Sequence, residues 1–495
     1  MRLSRLPLFH SGSAYFVGLL GVISCVIGMV IAKAELELSV LVGVLLLLAL
    51  VVAVYARPSV SLFVFLVIWP VYVVLNQFFS LDSLPEARMW QEALILLSVL
   101  GVLFRILVKR IRIASFERLD WITLLLFLMS VYGSVLSRSW ELIIYGFHLT
   151  YAPILMYFLV RLLPLRVAYV RLWLGVLLGI CLLIALTGLY IQLTDPGAYY
   201  RLVLPADELG AIARRGSFRM GSIFANPLYF GLLMSIAAIL SVIPFGNTRS
   251  RWYRLAMFLI FTVCTVLSLT RGAVVSLLSG ITVILVCYFR LSRSHKYALW
   301  LTVPLLGVFL VGIVFSPAQS AVVSFFSDSQ GGLFAGRTSQ WQQAWDSIIQ
   351  ALWGHGLGVG NAMLRANQPS VAIMDGWYLK VLAEGGVIGL VVFIMFMVGT
   401  LLFLVSRVRA ATGTDSAYWL YSGVLAIFVG YSLAAIGSNV WDYYMTPSVM
   451  WILIGFAVTV IDGSHTNSLP RWHTETSDGD SRASHAVSLP RLAKR

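Results

Sequence analysis

Arginine supplies the first chemical signal in this chain. Arg201, Arg214, Arg215 and Arg219 fall in the stretch 201-RLVLPADELGAIARRGSFRMGSIFANP-227, and Arg271 follows an apolar run in LSLTRGAVVS. A guanidinium is a planar fork that grips a phosphate or diphosphate through two parallel N–H bonds. A second set of reactive side chains comes later. Asp375 opens 375-DGWYLKVLAEGGVIGL-390, with Lys380 and Glu384 further along it, and His355 sits in the glycine-rich turn 354-GHGLGVG-360. A carboxylate at a water–lipid boundary can accept a proton from a hydroxyl. The same aspartate is also an ordinary helix N-cap, and both roles stay open.

The elements that must position these residues are set by composition. Of 495 residues, 60% are apolar and only 11% are charged. A soluble surface needs about a quarter of its residues charged. The chain is therefore dissolved in lipid, which excludes a soluble enzyme, a nucleic-acid-binding domain and a secreted disulfide scaffold. The fold class expected is all-α, a polytopic integral membrane protein of about 12–14 transmembrane helices. Cys25, Cys181, Cys264 and Cys287 all lie in apolar runs without CxxC spacing, so they read as small buried hydrophobes. No metal site and no cofactor are expected.

Apolar runs of spanning length fall near 13–32, 38–56, 59–80, 92–108, 121–137, 142–160, 172–193, 223–244, 255–270, 272–290, 298–316, 386–405, 418–437 and 447–461. With the N-terminus inside, the inner segments hold 24 of the 35 basic and 7 of the 21 acidic residues, giving +17 inside and −3 outside. That asymmetry follows the positive-inside rule, so the net charge of +14 is a topology signal and not a nucleic-acid signal. Both termini are expected in the cytoplasm. Residues 1–462 form a single transmembrane domain with long outer loops at 194–222 and 317–385. Residues 463–495, rich in Ser, Thr, His and Asp, form a cytoplasmic tail expected to be disordered.

The arginines above the spans oppose the insertion bias, which calls for an anionic partner. Snorkelling to lipid phosphates is the plain alternative for Arg214 and Arg215; Arg219 and Arg271, at helix starts, favour a ligand. From Arg337 onward, Trp341, Trp345, Ile348, Ile349 and Leu352 recur at helical spacing, the pattern of an amphipathic helix on the membrane interface. The turn at 354–360 either lets backbone approach a ligand or serves as a flexible connector. Tyr199, Tyr200, Trp377, Tyr378, Asn439 and Asp442 could bind sugar, although aromatic belts mark every membrane interface. His148 reads as an interhelical hydrogen-bond partner.

The stretch from about 200 to 400 resembles the O-antigen ligase and polymerase superfamily of bacterial envelope glycosyltransferases. Arg219-Met-Gly-Ser-Ile-Phe224-Ala-Asn226-Pro227 resembles its first arginine block, and Leu269-Thr270-Arg271-Gly272-Ala273 its second. Gly336-Arg337 with Trp341, the Gly354–Gly360 turn and Gly386-Val-Ile-Gly389-Leu390 resemble its large outer loop and the helix after it. The resemblance implies a metal-independent transferase of the bacterial inner membrane, with its active site on the periplasmic face. Its donor would be a polyprenyl-diphosphate-linked glycan. Arg219 and Arg271 would hold the diphosphate, with Arg215 as a third, and a base would activate the acceptor hydroxyl. Arg337, His355, Trp377, Tyr378 and Asp442 are further candidates for substrate contact. Membrane lipids, a chain-length regulator and a flippase are the partners implied.

One departure bears on the reaction. The family's ligases carry a His-Asn-like pair before the Gly-x-x-Gly-Leu helix, and that register falls here on Asp375-Gly376. An aspartate can serve as base, and His355 is the substitute within the same loop. The missing histidine favours a polymerase joining repeat units over a ligase transferring a finished glycan to lipid A core. A lipid-linked glycan transporter or flippase is the alternative from another class. It would place ionisable side chains deep in the spans and break helices in paired positions.

Overall fold

A computed structural model describes residues 59–79, 90–109, 116–137, 139–163, 165, 167–204, 209–214, 217–244, 251–289, 351–358, 376–411, 416–442 and 445–460, with 341, 342, 345 and 349. The expected spans at 13–32, 38–56 and 298–316, the tail at 463–495, and Arg215, Arg337 and Asp375 lie outside the described residues. The fold is an all-α polytopic membrane protein. Its helices are α1 (Val60–Phe79), α2 (Trp90–Lys109), α3 (Arg118–Leu136), α4 (Trp140–Gly146), α5 (Ile154–Leu162), α6 (Val167–Leu193), α7 (Pro196–Val203), α8 (Pro227–Val242), α9 (Arg251–Leu267), α10 (Arg271–Phe289), α11 (Trp377–Ala410), α12 (Ser416–Ala434) and α13 (Met445–Thr459). Six of these helices are long and apolar enough to cross a membrane, and α4 with α5 makes a seventh across a 53° bend. Shorter apolar helices within α1, α8, α9 and α13 fill in the bundle.

Helix α12 is buried along most of its length, whereas the other long helices bury little more than a third of theirs. Small residues let its neighbours approach. Gly430 of α12 faces the backbone of Ser276 in α10, and Gly423 faces Ile243 just beyond α8. This is the close packing through small side chains that lipid-embedded helices use.

Two helices are broken, each for a local reason. Pro153 has no N–H to give the preceding turn, and the chain before it opens into a π-helical segment, Phe147–Tyr151, between α4 and α5. Helix α11 breaks at Gly386, whose φ of 62° and ψ of −161° are open to glycine but not to other residues. The break divides α11 into a short arm, 377–385, and a long span, 387–410.

A broken helix in lipid must find new partners for its freed backbone groups. The turn at 354–358 provides them. His355 N–H donates to the Ala383 carbonyl at 2.7 Å, Gly356 N–H donates to the Glu384 carbonyl at 3.1 Å, and Val387 N–H donates to the Leu352 carbonyl at 3.0 Å. The described part of the turn is thus packed structure rather than a loose connector. Leu357 N–H donates to the Gly133 carbonyl at 3.1 Å. The buried Leu357 side chain fills space that a Cβ on Gly133 would occupy, 2.6 Å from Leu357 Cδ2. Gly354, Gly356 and Gly358 all have positive φ.

A buried ion pair ties α3 to α5. Arg161 grips Asp120 with Nε to Oδ1 and Nη2 to Oδ2, both 2.7 Å. Tyr157 O–H and the Glu117 N–H complete the carboxylate's partners. On α2, Glu92 pairs with His148 of the π-helical segment, the interhelical contact expected of that histidine.

A Cβ at Gly356 would lie 2.5 Å from Ser137 N in a backbone with φ +91°, while one at Gly385 meets only Met129 Cε, at 3.6 Å. Gly356→Ala should therefore lose about 2 kcal/mol or more of stability. Gly385→Ala should be tolerated, and thermal unfolding of both detergent-solubilised variants measures the contrast.

Candidate functional site

The first arginine block is built on a compact loop core. Asp195 caps α7 by accepting the Ala198 N–H at 2.9 Å, and Pro196 opens the helix. Tyr200 is fully buried against Ile212 and Ala225, and its hydroxyl accepts the Gly221 N–H at 2.7 Å. Burial pushes the Tyr200 phenol up and the Tyr199 phenol up to about 12, so both stay neutral hydrogen-bonding groups. Tyr200 presents no ring face to a sugar; it holds the loop together. Beyond a two-residue β ladder of Ala213–Arg214 with Ser217–Phe218, the Arg219 N–H donates to the Ile212 carbonyl at 3.1 Å.

The loop brings the two arginine blocks together. Arg219 Nη2 donates to Thr270 Oγ1 at 2.8 Å and Nε donates to the Ser268 carbonyl at 3.3 Å. Thr270 directly precedes Arg271, the first residue of α10. Asn226 caps α8, accepting the Leu228 N–H at 3.0 Å and the Tyr229 N–H at 3.4 Å, with Pro227 at the first helical position. This explains the Asn-Pro pair as a helix start. Ser222, Ala225 and Leu269 are the non-glycine residues with positive φ among those described, and all three lie in these two blocks. Backbone held in that region collects at sites where function fixes geometry.

A buried charged cluster lies on the other side of the site. Lys380 bonds to Asp442 Oδ1 and to Thr150 Oγ1, the latter at 3.1 Å, and lies 3.6 Å from Glu384 Oε1. Thr150 Oγ1 in turn donates to Asp442 Oδ1 at 3.3 Å, and the Gly358 N–H donates to Glu384 Oε1 at 3.2 Å. Lys380, Glu384 and Asp442 are 4%, 2% and 0% exposed, so no water neutralises them. The two broken helices and the glycine turn meet here.

The turn 435–442, after α12, joins the two halves. A Cβ on Gly272, next to Arg271, would lie 3.1 Å from Ser438 Oγ. Asn439 Oδ1 accepts the Gly376 N–H at 3.3 Å, and the Trp377 N–H donates to the Ala435 carbonyl at 2.9 Å. The residue after Asp375 is thus anchored to the turn that packs on the start of α10. Trp377 is buried against Phe393, with Lys380 Nζ 4.9 Å from its ring centre, so it offers no open platform. Tyr378 is half-buried, donates to the Ser432 carbonyl at 3.1 Å, and borders a groove of about 470 Å³ lined by Trp341, Gln342, Trp345, Leu379 and Ile436. His355 is half-buried and engages α11 through its backbone.

Thr150 was not among the residues singled out from the sequence, and Lys380 and Glu384 were placed on their helix without a role. Their i,i+4 spacing was the available signal. Asp442 was placed beside Asn439 as a sugar contact; the structure seals it against Lys380 instead.

Residues 255–394 match the family model described as O-antigen ligase. The matched segment holds Thr270, Arg271, the glycine turn, Asp375, Lys380, Glu384 and Gly386; Arg219 and Asp442 lie on either side of it. No curated protein matches the chain. The family match supports the O-antigen ligase and polymerase superfamily, and with the spanning helices it indicates a multi-pass bacterial membrane protein of glycosyltransferase type. What the match implies is a lipid-linked glycan substrate and a place in surface polysaccharide biosynthesis.

The cap geometry gives a direct test of the first block. Asn226→Ala should cost about 1 kcal/mol of stability, and Asn226→Ser, which can cap as well, should recover all but a few tenths. Thermal unfolding in the same detergent checks both.

Proposed function

We propose that this protein is an inner-membrane polymerase that joins polyprenyl-diphosphate-linked oligosaccharide repeat units at the periplasmic face, without a metal, and with both termini in the cytoplasm. The observation that carries the reading is the Arg219–Thr270 hydrogen bond, which holds one guanidinium at the residue before Arg271, where α10 opens. Two guanidiniums fixed before reaction are what a leaving diphosphate requires, because its charge grows in the transition state. Arg215 is assigned as a third contact. The groove bordered by Tyr378 and Trp341 has an apolar, aromatic lining that suits the hydrocarbon of the donor.

In the reaction assigned, an acceptor hydroxyl attacks the anomeric carbon of the donor sugar. The bond from that carbon to the diphosphate oxygen breaks, and its electron pair leaves with the diphosphate. Asp375 takes the hydroxyl proton. Its position rests on register in the sequence and on the anchoring of its neighbour Gly376 to Asn439. Ligase-type transfer to lipid A core is the second reading within the superfamily. A lipid-linked glycan transporter also has one observation in its favour, the meeting of two broken helices at a buried ionisable cluster.

Reconstitution into vesicles with a polyprenyl-diphosphate oligosaccharide, in the presence of a chelator, separates the readings. A ladder of repeat units on the carrier is the result expected. Transfer of one block only when lipid A core is present would establish the ligase, and movement of intact donor across the bilayer without consumption would establish the transporter. In the polymerase, Arg219→Ala and Arg271→Ala should each lower kcat about 10²- to 10³-fold. Normal turnover in Asp375→Ala would remove that residue as the base.

A further inference from the structure

The cluster of Lys380, Glu384 and Asp442 has a charge balance that its geometry does not close. One ammonium faces two carboxylates, so with all three ionised the group carries one net negative charge. Glu384 accepts one backbone N–H, from Gly358. Asp442 Oδ1 takes Lys380 and Thr150, while Asp442 Oδ2, fully buried, has no hydrogen-bond partner among the described residues. Among the described residues, two phenols lie within electrostatic range of the acids, Tyr151 near Glu384 and Tyr431 near Asp442, and neither brings a positive charge. His355, in the turn against the short arm of α11, bonds to that arm through its backbone N–H.

An uncompensated charge out of water is costly, and a carboxyl group commonly answers by keeping its proton. The ammonium already occupies the space between the two carboxylates, which leaves a proton as the smallest ion that balances the remaining charge. We propose that Lys380, Glu384 and Asp442 together form a binding site for a single proton, shared between the two carboxyl groups, at the junction of the broken helices. A protonated carboxyl is also a donor, and so converts a site with surplus acceptors into one whose bonds can all be made. The site requires no substrate, so it stands or falls independently of the transfer reaction assigned above.

Infrared spectroscopy of the protein in lipid nanodiscs at neutral pH tests this through the C=O stretch of a protonated carboxyl, identified by its shift in heavy water. The wild type should show such a band. Glu384→Gln should abolish its cluster component, and so should Asp442→Asn. Either substitution leaves one carboxylate and one ammonium, a balanced pair that needs no proton. Lys380→Met should increase the band, since two acids then lack a cation. A wild type without the band, or a band that survives in either single-acid variant, would overturn the proposal. Circular dichroism of each variant confirms that the helices are retained, and if Lys380→Met does not fold, the two isosteric amide variants decide alone.

Discussion

Everything around the site depends on how the chain satisfies the backbone groups released where α11 breaks at Gly386. In a bundle surrounded by lipid there is no water to take the Ala383 and Glu384 carbonyls. His355 and Gly356 take them instead, and that contact fixes the glycine turn against the short arm of α11. The turn can come close enough only because Gly354, Gly356 and Gly358 have no Cβ to collide with backbone on α3, α4 and α11. Once the turn is in place, the Gly358 N–H lies at the Glu384 carboxylate, and the short arm carries Lys380 to Asp442. Backbone satisfaction and the charged cluster are therefore one construction.

The arginine side of the site is organised on a different principle. A capped helix start at Asn226 and a buried tyrosine at Tyr200 hold it together, and they offset the cost of the positive-φ backbone at Ser222, Ala225 and Leu269. Arg219 donates to the Thr270 hydroxyl and to the Ser268 carbonyl. By contrast, Arg161 is neutralised by a bidentate carboxylate and serves as a strut between α3 and α5. The same residue type thus serves as a strut in one place and, in the function proposed, as an anion contact in the other. The difference lies in the partner each is given.

Much of the fold was legible in the sequence, because a helix that faces lipid declares itself by length and hydropathy alone. The expected spans from 59–80 to 272–290 and from 386–405 to 447–461 each fall on a helix, except 142–160, which falls on α4 and α5 across their bend. The expected span at 386–405 begins where α11 breaks, at Gly386, but the break itself was not legible, because a glycine in a helical pattern gives no sign of its φ. Arg219 and Arg271 stand out in the sequence because arginines just above spans on the expected outer face oppose the insertion bias. The roles of Trp377 and Tyr200 were not legible. A buried indole or phenol and one at the membrane interface have the same sequence surroundings, and only packing distinguishes them.

The sequence by itself determined that the protein is a membrane-embedded helical bundle, that apolar runs of spanning length recur along it, and that arginines gather in two short blocks. Those properties follow from local composition and short-range spacing, and each is decided within a few turns of chain. Only the tertiary structure decided that Lys380 meets Asp442, that Arg219 reaches Thr270, and that the glycine turn completes α11. These pairings join residues 62, 51 and about 30 positions apart. Their register is set by how the helices pack, and no local pattern in the sequence encodes it.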